Sequence, residues 1–424
     1  MNNRYDVIVI GGGPAGMMAA ARAAARGVQV LLLDKNEALG RKMLITGGGR
    51  CNLTNDAGIH EMIANIPGNG KFVYGALHRF SGQDLRSFLH QLGIPTKVEE
   101  RGRVFPDSDR ASDVVQALGK HLQQMAVTFR YQTRVDALLV QDNRCLGVRA
   151  GDKKCLAGAV VVATGGMSYP RTGSTGEGYK MAKEVGHSIT RLFPSAVAVT
   201  CNDPWIINRE VQGVSLPGVT VSVYNQRDKV IAAEAGDVIF THWGLSGPGV
   251  LRVGRMVALE RQKVPAAALK GAIDLLPGQP REDLEHDLAK KVQAGDRRSV
   301  KNLLADLLPE RMARVLVTLA GIRPETPAVQ LNKKALQDLA ALMKGLPVQI
   351  TGTRPIEEAT VTGGGINSKE VDPRTMGSKI VKGLFFAGEV LDVDAHTGGF
   401  NMQVAFSTGF LAGESAAAFV KGDS

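Results

Sequence analysis

Cysteine is scarce in this sequence, which contains four in 424 residues. None of the four lies in a C-x-x-C pair, and their density is far below that of a secreted disulfide scaffold; they are Cys51, Cys145, Cys155 and Cys201. A disulfide reductase is disfavoured because Cys51 has no neighbouring cysteine with which to form a redox pair. We predict no metal site, and we expect the reducing environment of the cytoplasm.

Long hydrophobic runs are also missing. No apolar stretch reaches the roughly 20 residues that span a bilayer, and the N-terminal residues lack the hydrophobic region and cleavage site of a signal peptide. We therefore expect no membrane association. Positive charge is in excess, with 51 lysines and arginines against 41 aspartates and glutamates, a net charge of +10. This excess permits a polyanionic partner without requiring one.

The N-terminal residues carry the pattern of a βαβ unit. An apolar strand at residues 5–10 precedes the sequence GGGPAG, which is followed by an Ala-rich helix at residues 17–26 and a second strand at residues 28–33. Asp34 ends the second strand, at the position where dinucleotide-binding proteins place an acidic residue. The order and spacing of these parts predict a dinucleotide site.

Each residue of the glycine-rich turn has an expected role in this site. Gly11 allows the tight turn, Gly13 lets the backbone approach a pyrophosphate, and Gly16 lets helix and strand pack closely. The pyrophosphate would meet the helix N-terminus at Pro14 and Ala15, where unpaired N–H groups favour negative charge. Asp34 would hold the hydroxyl groups of a ribose.

A basic, glycine-rich stretch at residues 40–52 favours FAD over NAD as the bound cofactor. Its cationic side chains could meet phosphate charge, and its glycines let backbone amides approach an isoalloxazine ring. The cofactor contacts that we predict in and beside this stretch are Lys35, Arg41, Lys42, Thr46, Gly49, Arg50, Cys51 and Asn52.

Two further strands end in glycine beside a hydroxyl or acidic residue, as suits a dinucleotide that crosses the top of a sheet. We place these strands at residues 158–163 and 383–387. A backbone group near Val135 could reach the adenine edge, and the glycines before the helical stretch 402–411 form a second helix N-terminus that would face the cofactor. The additional predicted contacts are Val135, Ala163, Thr164, Gly165, Gly388, Glu389, Gly398, Gly399, Phe400 and Asn401.

The remaining sequence predicts an insertion into the cofactor domain. Short apolar strands with turn signals run from residue 192 to about residue 273, and helical spacing with Gly and Pro breaks follows. The predicted fold class is α/β: a discontinuous, doubly wound, Rossmann-like FAD domain with an inserted β-rich, barrel-like domain and a small helical subdomain. The predicted boundaries are 1–191 and 355–424 for the FAD domain, 192–279 and 346–354 for the β-rich domain, and 280–345 for the helical subdomain.

Several motifs taken together resemble the YhiN/BaiN group of FAD-dependent flavoproteins. They are, in order, GGGPAG, GRKMLITGGGRCNLTN, ATGGMSYPRTGSTGEGY, THWGLSGPG, VTGGGIN and FAGEVLDVDAHTGGFNMQ, and they span nearly the whole chain. The resemblance implies FAD and a reduction of an activated carbon–carbon double bond. One branch of the group is associated with dihydrouridine formation in ribosomal RNA using NADH, and another with the reduction of unsaturated bile-acid intermediates.

On the RNA reading, NADH or NADPH serves as a transient reductant, and the protein supplies a proton and a surface for a base turned out of the RNA. The candidate proton donors are Cys51, His242 and His396, and the candidate stacking surfaces are Trp243 and Tyr169. A phosphate backbone could meet a basic face of the helical segment, although the sequence favours a solvated helix face as the explanation of that charge; its residues are Lys290, Lys291, Arg297, Arg298 and Lys301.

Three functions stay open at this point. The first is an NADH-driven, FAD-dependent enzyme that converts uridine to dihydrouridine in ribosomal RNA. The second is a small-molecule ene reductase, which acts on an unsaturated carbonyl or steroid-like substrate in a closed apolar cavity. The third is a non-catalytic flavin-binding sensor or assembly factor. The sequence leaves the oligomeric state and the choice between NADH and NADPH open.

Overall fold

The computed structural model of the protein describes residues 4–264, 268–294 and 297–423. Its chain divides into two compact units. The first unit comprises the chain up to Phe193 and from Thr360 onward, and the second comprises Pro194–Ala359. The first unit is therefore discontinuous, and the helical segment that the sequence set apart at residues 280–345 belongs to the second unit.

The strands of the described residues are numbered here in chain order. They are β1 (Arg4–Ile10), β2 (Val30–Leu33), β3 (Thr54–Asn55), β4 (Thr96–Val98), β5 (Arg103–Pro106), β6 (Thr128–Arg130), β7 (Ala137–Gln141), β8 (Arg144–Ala150), β9 (Lys153–Val162), β10 (Phe193–Ser195), β11 (Val199–Cys201), β12 (Ser215–Tyr224), β13 (Val230–Phe240), β14 (Gly244–Ser246), β15 (Leu269–Asp274), β16 (Leu346–Thr353), β17 (Val361–Gly363) and β18 (Leu384–Phe386).

The α-helices of the described residues are numbered in the same way. They are α1 (Pro14–Ala25), α2 (Ile59–Ala64), α3 (Tyr74–Arg79), α4 (Gly82–Gln91), α5 (Ala111–Gln124), α6 (Glu177–Glu184), α7 (Pro204–Ile207), α8 (Pro248–Lys263), α9 (Arg281–Gln293), α10 (Val300–Leu304), α11 (Glu310–Leu319), α12 (Lys333–Lys344) and α13 (Phe400–Lys421). None of the helices in the described ranges is both long enough and apolar enough to cross a membrane.

A parallel sheet forms the centre of the first unit. Its strands follow the order β6-β2-β1-β9-β18, and all of these neighbouring pairs are parallel. The earlier part of β9 pairs instead with the antiparallel ribbon of β8 and β7. The central strands β1 and β2 are buried runs of valine, isoleucine and leucine, as expected for strands that are covered on both faces. This strand order confirms the predicted doubly wound architecture.

Helices α1 and α13 pack closely against each other because small residues face across their contact. A Cβ on Gly409 would lie 2.2 Å from the Ala15 carbonyl oxygen, and one on Gly413 would lie 2.2 Å from the Ala19 carbonyl oxygen. Five of the seven alanines of α1 are buried. A larger side chain at either glycine would separate the two helices, whose N-termini both lie at the cavity described below.

The second unit contains a closed barrel of six antiparallel strands, in the order β11-β14-β13-β12-β15-β16. Alternate side chains of β12, such as Val219, Val221 and Val223, are buried in its core. Helices α9 to α12 follow between β15 and β16. The barrel and the helices confirm the β-rich and helical parts of the predicted fold class.

One part of the predicted strand series is wrong. Residues within the segment that was read as short strands form the 16-residue helix α8. Its buried positions Val250, Val253 and Val257 repeat at helical spacing and pack in the core of the second unit. Gly254 allows this packing, because a Cβ there would lie 1.9 Å from the Val197 carbonyl oxygen. The β-branched valines gave the segment the composition of a strand.

Candidate functional site

A cavity of about 350 Å³ lies at the carboxyl ends of β1, β2, β9 and β18 in the first unit. Its walls include Ile10 and Leu33, which end β1 and β2, and Ala163 and Ala387, which follow β9 and β18. In doubly wound sheets, ligands bind in the crevice outside the carboxyl ends of the strands. The cavity therefore occupies the position at which a dinucleotide is expected.

Most of the predicted cofactor contacts line this cavity. The residues that do so are Gly11, Gly13, Pro14, Ala15, Asp34, Lys35, Arg41, Lys42, Thr46, Asn52, Val135, Ala163, Thr164, Gly165, Gly388, Glu389, Gly398, Gly399 and Asn401. Of the described residues, five that were predicted as contacts are outside the lining: Gly16, Gly49, Arg50, Cys51 and Phe400. The part of all 24 residues in cofactor binding stays a prediction, and the structure shows only which of them line the cavity.

The glycine-rich turn has the close approaches that its sequence predicts. Gly11 has a φ of +104°, and a Cβ there would lie 2.4 Å from the Ala163 carbonyl oxygen. A Cβ on Gly16 would lie 1.8 Å from the Gly11 carbonyl oxygen, which explains why Gly16 supports the turn from below without lining the cavity. A Cβ on Gly13 would meet nothing within 4 Å among the described residues. The space beside Gly13 is therefore open to a ligand.

Asp34 holds this turn with one carboxylate oxygen and the chain that follows β2 with the other. The backbone N–H of Gly12 donates to Oδ2 at 2.6 Å, and that of Asn36 donates to Oδ1 at 2.7 Å. Each carboxylate oxygen has a second lone pair, so Asp34 can hold the turn and still accept a hydrogen bond from a ligand. Asp34 is buried and lines the cavity.

Beside Asp34, an ionic cluster joins three separate segments of the cavity wall. The Lys35 ammonium donates to Glu177 at 2.6 Å and to Thr175 Oγ1 at 2.5 Å, and Arg134 Nε lies 3.5 Å from Glu177. Burial would raise the pKa of Glu177, but the contacts with Lys35, Thr175 and Arg134 lower that pKa overall. Glu177 is therefore a carboxylate at neutral pH. We call Lys35, Arg134 and Glu177 the Glu177 cluster.

A second ionic contact lies in the same wall, between Lys42 and Glu389. The Lys42 ammonium donates to Glu389 Oε2 at 2.9 Å and to Ser168 Oγ at 2.8 Å. Glu389 also accepts hydrogen bonds from the Thr362 backbone N–H at 2.8 Å and from Ser168 Oγ at 3.0 Å. Burial would raise the pKa of Glu389, but Lys42 and these hydrogen bonds lower that pKa overall. Glu389 is thus a carboxylate at neutral pH.

Two helix N-termini begin at the cavity. Gly13 and Gly399 are the N-cap residues of α1 and α13, and both line it. In the described chain, no side chain caps either helix and no acidic residue lies in either first turn. The N–H groups at both ends therefore keep their capacity to bind negative or carbonyl oxygen atoms.

FAD fits these features. The open side of Gly13 and the N-terminus of α1 suit its pyrophosphate, and the N-terminus of α13 suits the carbonyl groups of its flavin ring. The Thr164 hydroxyl lines the cavity, and its oxygen is buried without a hydrogen-bond partner among the described residues. A polar ligand would supply that partner.

Arg50 and Cys51 serve other contacts. The Arg50 guanidinium is paired with Glu99 at 2.7 Å and Asp109 at 3.1 Å, and it lies 4.0 Å from the centre of the Phe105 ring. Cys51 is fully buried, and burial raises the pKa of its thiol to about 12, although a hydrogen bond with Thr46 lowers it. A buried thiol with this pKa is a poor proton donor, so the geometry counts against Cys51 as the catalytic acid.

The two candidate histidines lie in different units. His396 is half-buried in the first unit, directly before Thr397, Gly398 and Gly399, which line the cavity. His242 is exposed in the second unit and lies beside the half-buried Trp243, whose ring is 5.0 Å from the Arg354 guanidinium. Tyr169, the other stacking candidate, is 40% exposed in the first unit.

The basic residues of the helical segment are partly neutralised within the protein. Lys291 and Arg298 both bind Asp306, at 3.1 and 3.0 Å, and hydrogen bonds from the two lower the pKa of Asp306 to about 2. Lys301 binds Glu325 at 2.7 Å. Lys290 and Arg297 are exposed. These pairings favour a solvated helix face over a dedicated phosphate-binding surface.

Sequence reasoning missed Ser168, Thr362 and Glu177. The first two hold Glu389, and Glu177 binds Lys35. All three lie in quoted motifs, Ser168 and Glu177 in ATGGMSYPRTGSTGEGY and Thr362 in VTGGGIN, and these motifs were the available signal. The contacts themselves have no local pattern, because the partners are distant in the chain.

The chain matches the protein family described as HI0933-like protein Rossmann domain over residues 5–415. It is similar to a ribosomal RNA dihydrouridine synthase of Escherichia coli (strain K12), with 35% identity over 415 residues that cover 96% of each chain. It is also similar to a 3-dehydro-bile acid delta(4,6)-reductase of Clostridium scindens, with 30% identity over 412 residues, 96% of this chain and 98% of the relative. These matches confirm the family resemblance carried by the motifs.

Among solved structures, the fold resembles that of 3-ketosteroid-delta4-(5alpha)-dehydrogenase from Rhodococcus jostii RHA1. The TM-score is 0.54 at 19% sequence identity, and the match covers 98% of this chain and 97% of that chain. At this identity the likeness concerns the fold alone. It agrees with the mixed α/β, Rossmann-like architecture described above.

Proposed function

Because the chain belongs to the family of HI0933-like proteins with a Rossmann domain, we propose that it is an FAD-dependent oxidoreductase that converts uridine to dihydrouridine in ribosomal RNA, with NADH or NADPH as reductant. The observation that carries this proposal is the cavity at the strand ends, which fits FAD in a chain with near-full-length relatives named for this reaction. The second relative, named as a bile-acid reductase, also suggests reduction of a carbon–carbon double bond.

The proposed reaction divides the chemistry between cofactor and protein. When bound, the flavin supplies the hydride that reduces the activated double bond. The chain binds the cofactor through the turn at Gly11 and Gly13, the Asp34 carboxylate and the N-termini of α1 and α13. It must also supply one proton to the carbon next to the reduced position.

His396 is the proton donor that we propose. It directly precedes the part of the cavity wall formed by Thr397, Gly398 and Gly399, and its backbone N–H donates to the Asn65 carbonyl oxygen at 2.9 Å. An imidazole can donate a proton near neutral pH. His242 remains the alternative donor, from the second unit.

Replacement of each candidate residue in turn shows whether His396, His242 or Cys51 is the proton donor. We expect His396→Ala to reduce kcat by roughly 10²-fold or more, because general acid catalysis typically contributes a factor of that order. FAD content should be unchanged, since the wall keeps its backbone. Cys51→Ala is the matched variant, and it should keep most of the activity. If His396→Ala retains activity while His242→Ala or Cys51→Ala loses it, the assignment to His396 is wrong.

A uracil within folded RNA must leave its stack to reach a cofactor, and an exposed aromatic ring can bind its face. Tyr169 and Trp243 are the proposed stacking residues, because Tyr169 is exposed and the Trp243 ring is only half-buried. Base stacking on an aromatic side chain contributes about 1–3 kcal/mol. Tyr169→Ala should therefore raise KM for RNA by about 5-fold or more while it leaves FAD affinity unchanged.

The substrate is tested by mass spectrometry of ribosomal RNA from cells with and without the gene. We expect one uridine to carry two additional hydrogens only when the gene is present, and the intact gene to restore this mass in the deletion strain. A plasmid that encodes His396→Ala is the control, because the protein is then produced without its proposed proton donor. Identical RNA masses in all strains would refute ribosomal RNA as the substrate.

A small unsaturated carbonyl compound is the second candidate substrate. It is favoured by the relative named as a bile-acid reductase, which matches over nearly the whole chain. NADH oxidation by the purified protein, measured with a panel of steroid and non-steroid enones, tests this alternative. Rapid turnover of an enone together with unchanged RNA would favour it.

A further inference from the structure

The Lys42–Glu389 pair is a charge pair in the wall of the cofactor cavity. Both side chains line the cavity and are about one-fifth exposed. Lys42 lies in the glycine-rich stretch after β2, and Glu389 lies directly after β18, 347 residues further along the chain. The fold therefore brings one positive and one negative charge together in the wall of the cavity.

Each member of the pair has its own support. The Thr362 backbone N–H and the Ser168 hydroxyl hold Glu389 in place, and Ser168 Oγ also accepts a hydrogen bond from Lys42. An ammonium group has three N–H donors, and Lys42 contacts three oxygen atoms: Ser168 Oγ at 2.8 Å, Glu389 Oε1 at 3.2 Å and Glu389 Oε2 at 2.9 Å. These contacts hold the two charges together.

We propose that each charge of the Lys42–Glu389 pair offsets the effect of the other on the reduction potential of the bound flavin, so that the intact pair leaves that potential unshifted. The inference rests on the FAD assignment of the proposed function, and it adds a role that is independent of the substrate. Neither side chain takes part in the reaction itself, since the proposed effect of each comes from its charge.

The physical argument predicts the sign of each change. Reduction adds negative charge to a flavin, so a nearby positive charge favours the reduced form and a nearby negative charge favours the oxidised form. In the intact pair the two effects oppose each other. Lys42→Met leaves the Glu389 carboxylate uncompensated and should lower the midpoint potential. Glu389→Gln leaves the Lys42 ammonium uncompensated and should raise it.

The pH dependence strengthens this test, because an unpaired buried group tends to become neutral. Glu389 without Lys42 can take up a proton, so the shift in Lys42→Met should be larger at about pH 8.5 than at about pH 6.5. Both variants keep most of the side-chain volume, and the side-chain amide introduced by Glu389→Gln would still offer a carbonyl oxygen to the Thr362 backbone N–H.

The experiment measures the midpoint potential of the FAD-loaded full-length protein by anaerobic reductive titration against a reference dye. The variants are Lys42→Met, Glu389→Gln, their combination and Lys42→Arg. The control is the exposed Lys180–Glu184 pair on α6, whose atoms lie 3.9 Å apart and which is outside the cavity lining. Absorbance gives the FAD content of each protein before titration.

The proposal expects opposite shifts in the two single variants, a potential near the wild-type value in the double variant and in Lys42→Arg, and no shift in the control. Shifts of the same sign, or no shift in either single variant with FAD bound, would overturn it. If FAD affinity falls while the potential is unchanged, the pair serves only binding and the inference is refuted. A wild-type protein that binds no FAD would instead refute the proposed function.

Discussion

Single charged side chains join distant parts of the chain around the cavity. Lys35 binds Glu177 across 142 residues, and Lys42 binds Glu389 across 347 residues. In both cases a cation that follows β2 meets a carboxylate from another segment, so the charges of Glu177 and Glu389 are paired before a ligand binds. Arg41, a further cationic side chain of the wall, can then attract the phosphates of a dinucleotide.

The Glu177 cluster yields a prediction on cofactor retention. Glu177→Gln removes a carboxylate that joins the start of α6 to Lys35 and Arg134 in the cavity wall. We expect the dissociation constant for FAD to rise roughly 3- to 10-fold, equivalent to about 1 kcal/mol for a partly buried pair. Fluorescence recovery of released FAD measures this change.

The control for this prediction is Glu184→Gln on the same helix. Glu184 pairs with Lys180 at the exposed surface, so its replacement should not alter FAD affinity. Raising salt from about 0.05 to about 0.5 M should weaken FAD binding by the wild type more than by Glu177→Gln, because salt screens the ionic contacts. Equal FAD affinities in wild type and Glu177→Gln would show that the cluster does not retain the cofactor.

The same cluster predicts a direction for the effect of pH. The pKa of Glu177 is lowered in the folded protein, after the opposing effect of burial, by Lys35, Thr175 and Arg134. Its contribution to stability is therefore present above the ordinary pKa of a glutamate and is lost as the pH falls through the lowered pKa. The difference in FAD affinity between the wild type and Glu177→Gln should therefore shrink as the pH falls through this lowered pKa, because a glutamine has no such contribution to lose; a pH titration of flavin fluorescence on both proteins would detect this.

At the scale of elements, two glycines of one turn should respond differently to the same change. Gly16→Ala would place a Cβ 1.8 Å from the Gly11 carbonyl oxygen, so α1 must shift from β1. We expect it to lower the free energy of unfolding of the flavin-free protein by about 2 kcal/mol or more. A urea unfolding curve followed by circular dichroism gives this value.

Gly13→Ala is the matched change in the same turn. A Cβ there meets nothing within 4 Å among the described residues, and the φ of −78° suits any residue. The stability of the flavin-free protein should therefore change by less than about 0.5 kcal/mol. FAD affinity should fall roughly tenfold or more, because the methyl group occupies the side that a pyrophosphate approaches. Unchanged FAD affinity would contradict the proposed position of the pyrophosphate.

Helix α8 provides a separate prediction for the second unit. Gly254→Ala would place a Cβ 1.9 Å from the Val197 carbonyl oxygen and should destabilise this unit by about 2 kcal/mol. Gly278→Ala is the control, because a Cβ there meets nothing within 4 Å among the described residues. Differential scanning calorimetry should show a lower transition temperature for Gly254→Ala alone. Equal transitions in the two variants would show that the close approach of α8 is not required.

Elements with a strong local pattern could be predicted from the sequence, and the others could not. The β1-α1-β2 unit was predictable because its glycines and its apolar periodicity are adjacent in the chain. Helix α8 was mistaken for strands because Val250, Val253 and Val257 favour strands and Gly249 and Gly254 disfavour helices. Its tertiary packing outweighs both tendencies.

In the candidate site too, local features could be predicted from the sequence and contacts between distant side chains could not. The cavity lining contains most of the predicted cofactor contacts, because strand ends and glycine turns are local features. The Lys42–Glu389 pair and its support from Ser168 could not be predicted, since residues so far apart in the chain carry no joint periodicity. The ion pairs of Arg50 with Glu99 and Asp109 could not be predicted for the same reason, because these partners come together only in the folded chain.

At the scale of the whole molecule, the net charge of +10 supports a polyanionic substrate only weakly. Lys291, Arg298 and Lys301 of the helical segment already have carboxylate partners. The case for RNA therefore depends more on the cavity and on the related proteins than on a dedicated basic face. Salt-dependent retention of RNA alone would not decide the function, because any cationic protein binds RNA to some degree.

The most direct test of the central claim is the mass of ribosomal RNA after incubation with the purified, FAD-loaded protein and NADH. The RNA should come from cells that lack the gene, and a reaction without NADH is the control. We predict that one uridine gains two hydrogens, in proportion to the NADH consumed. An RNA of unchanged mass, with NADH consumed and FAD bound, would contradict the assignment of ribosomal RNA as the substrate.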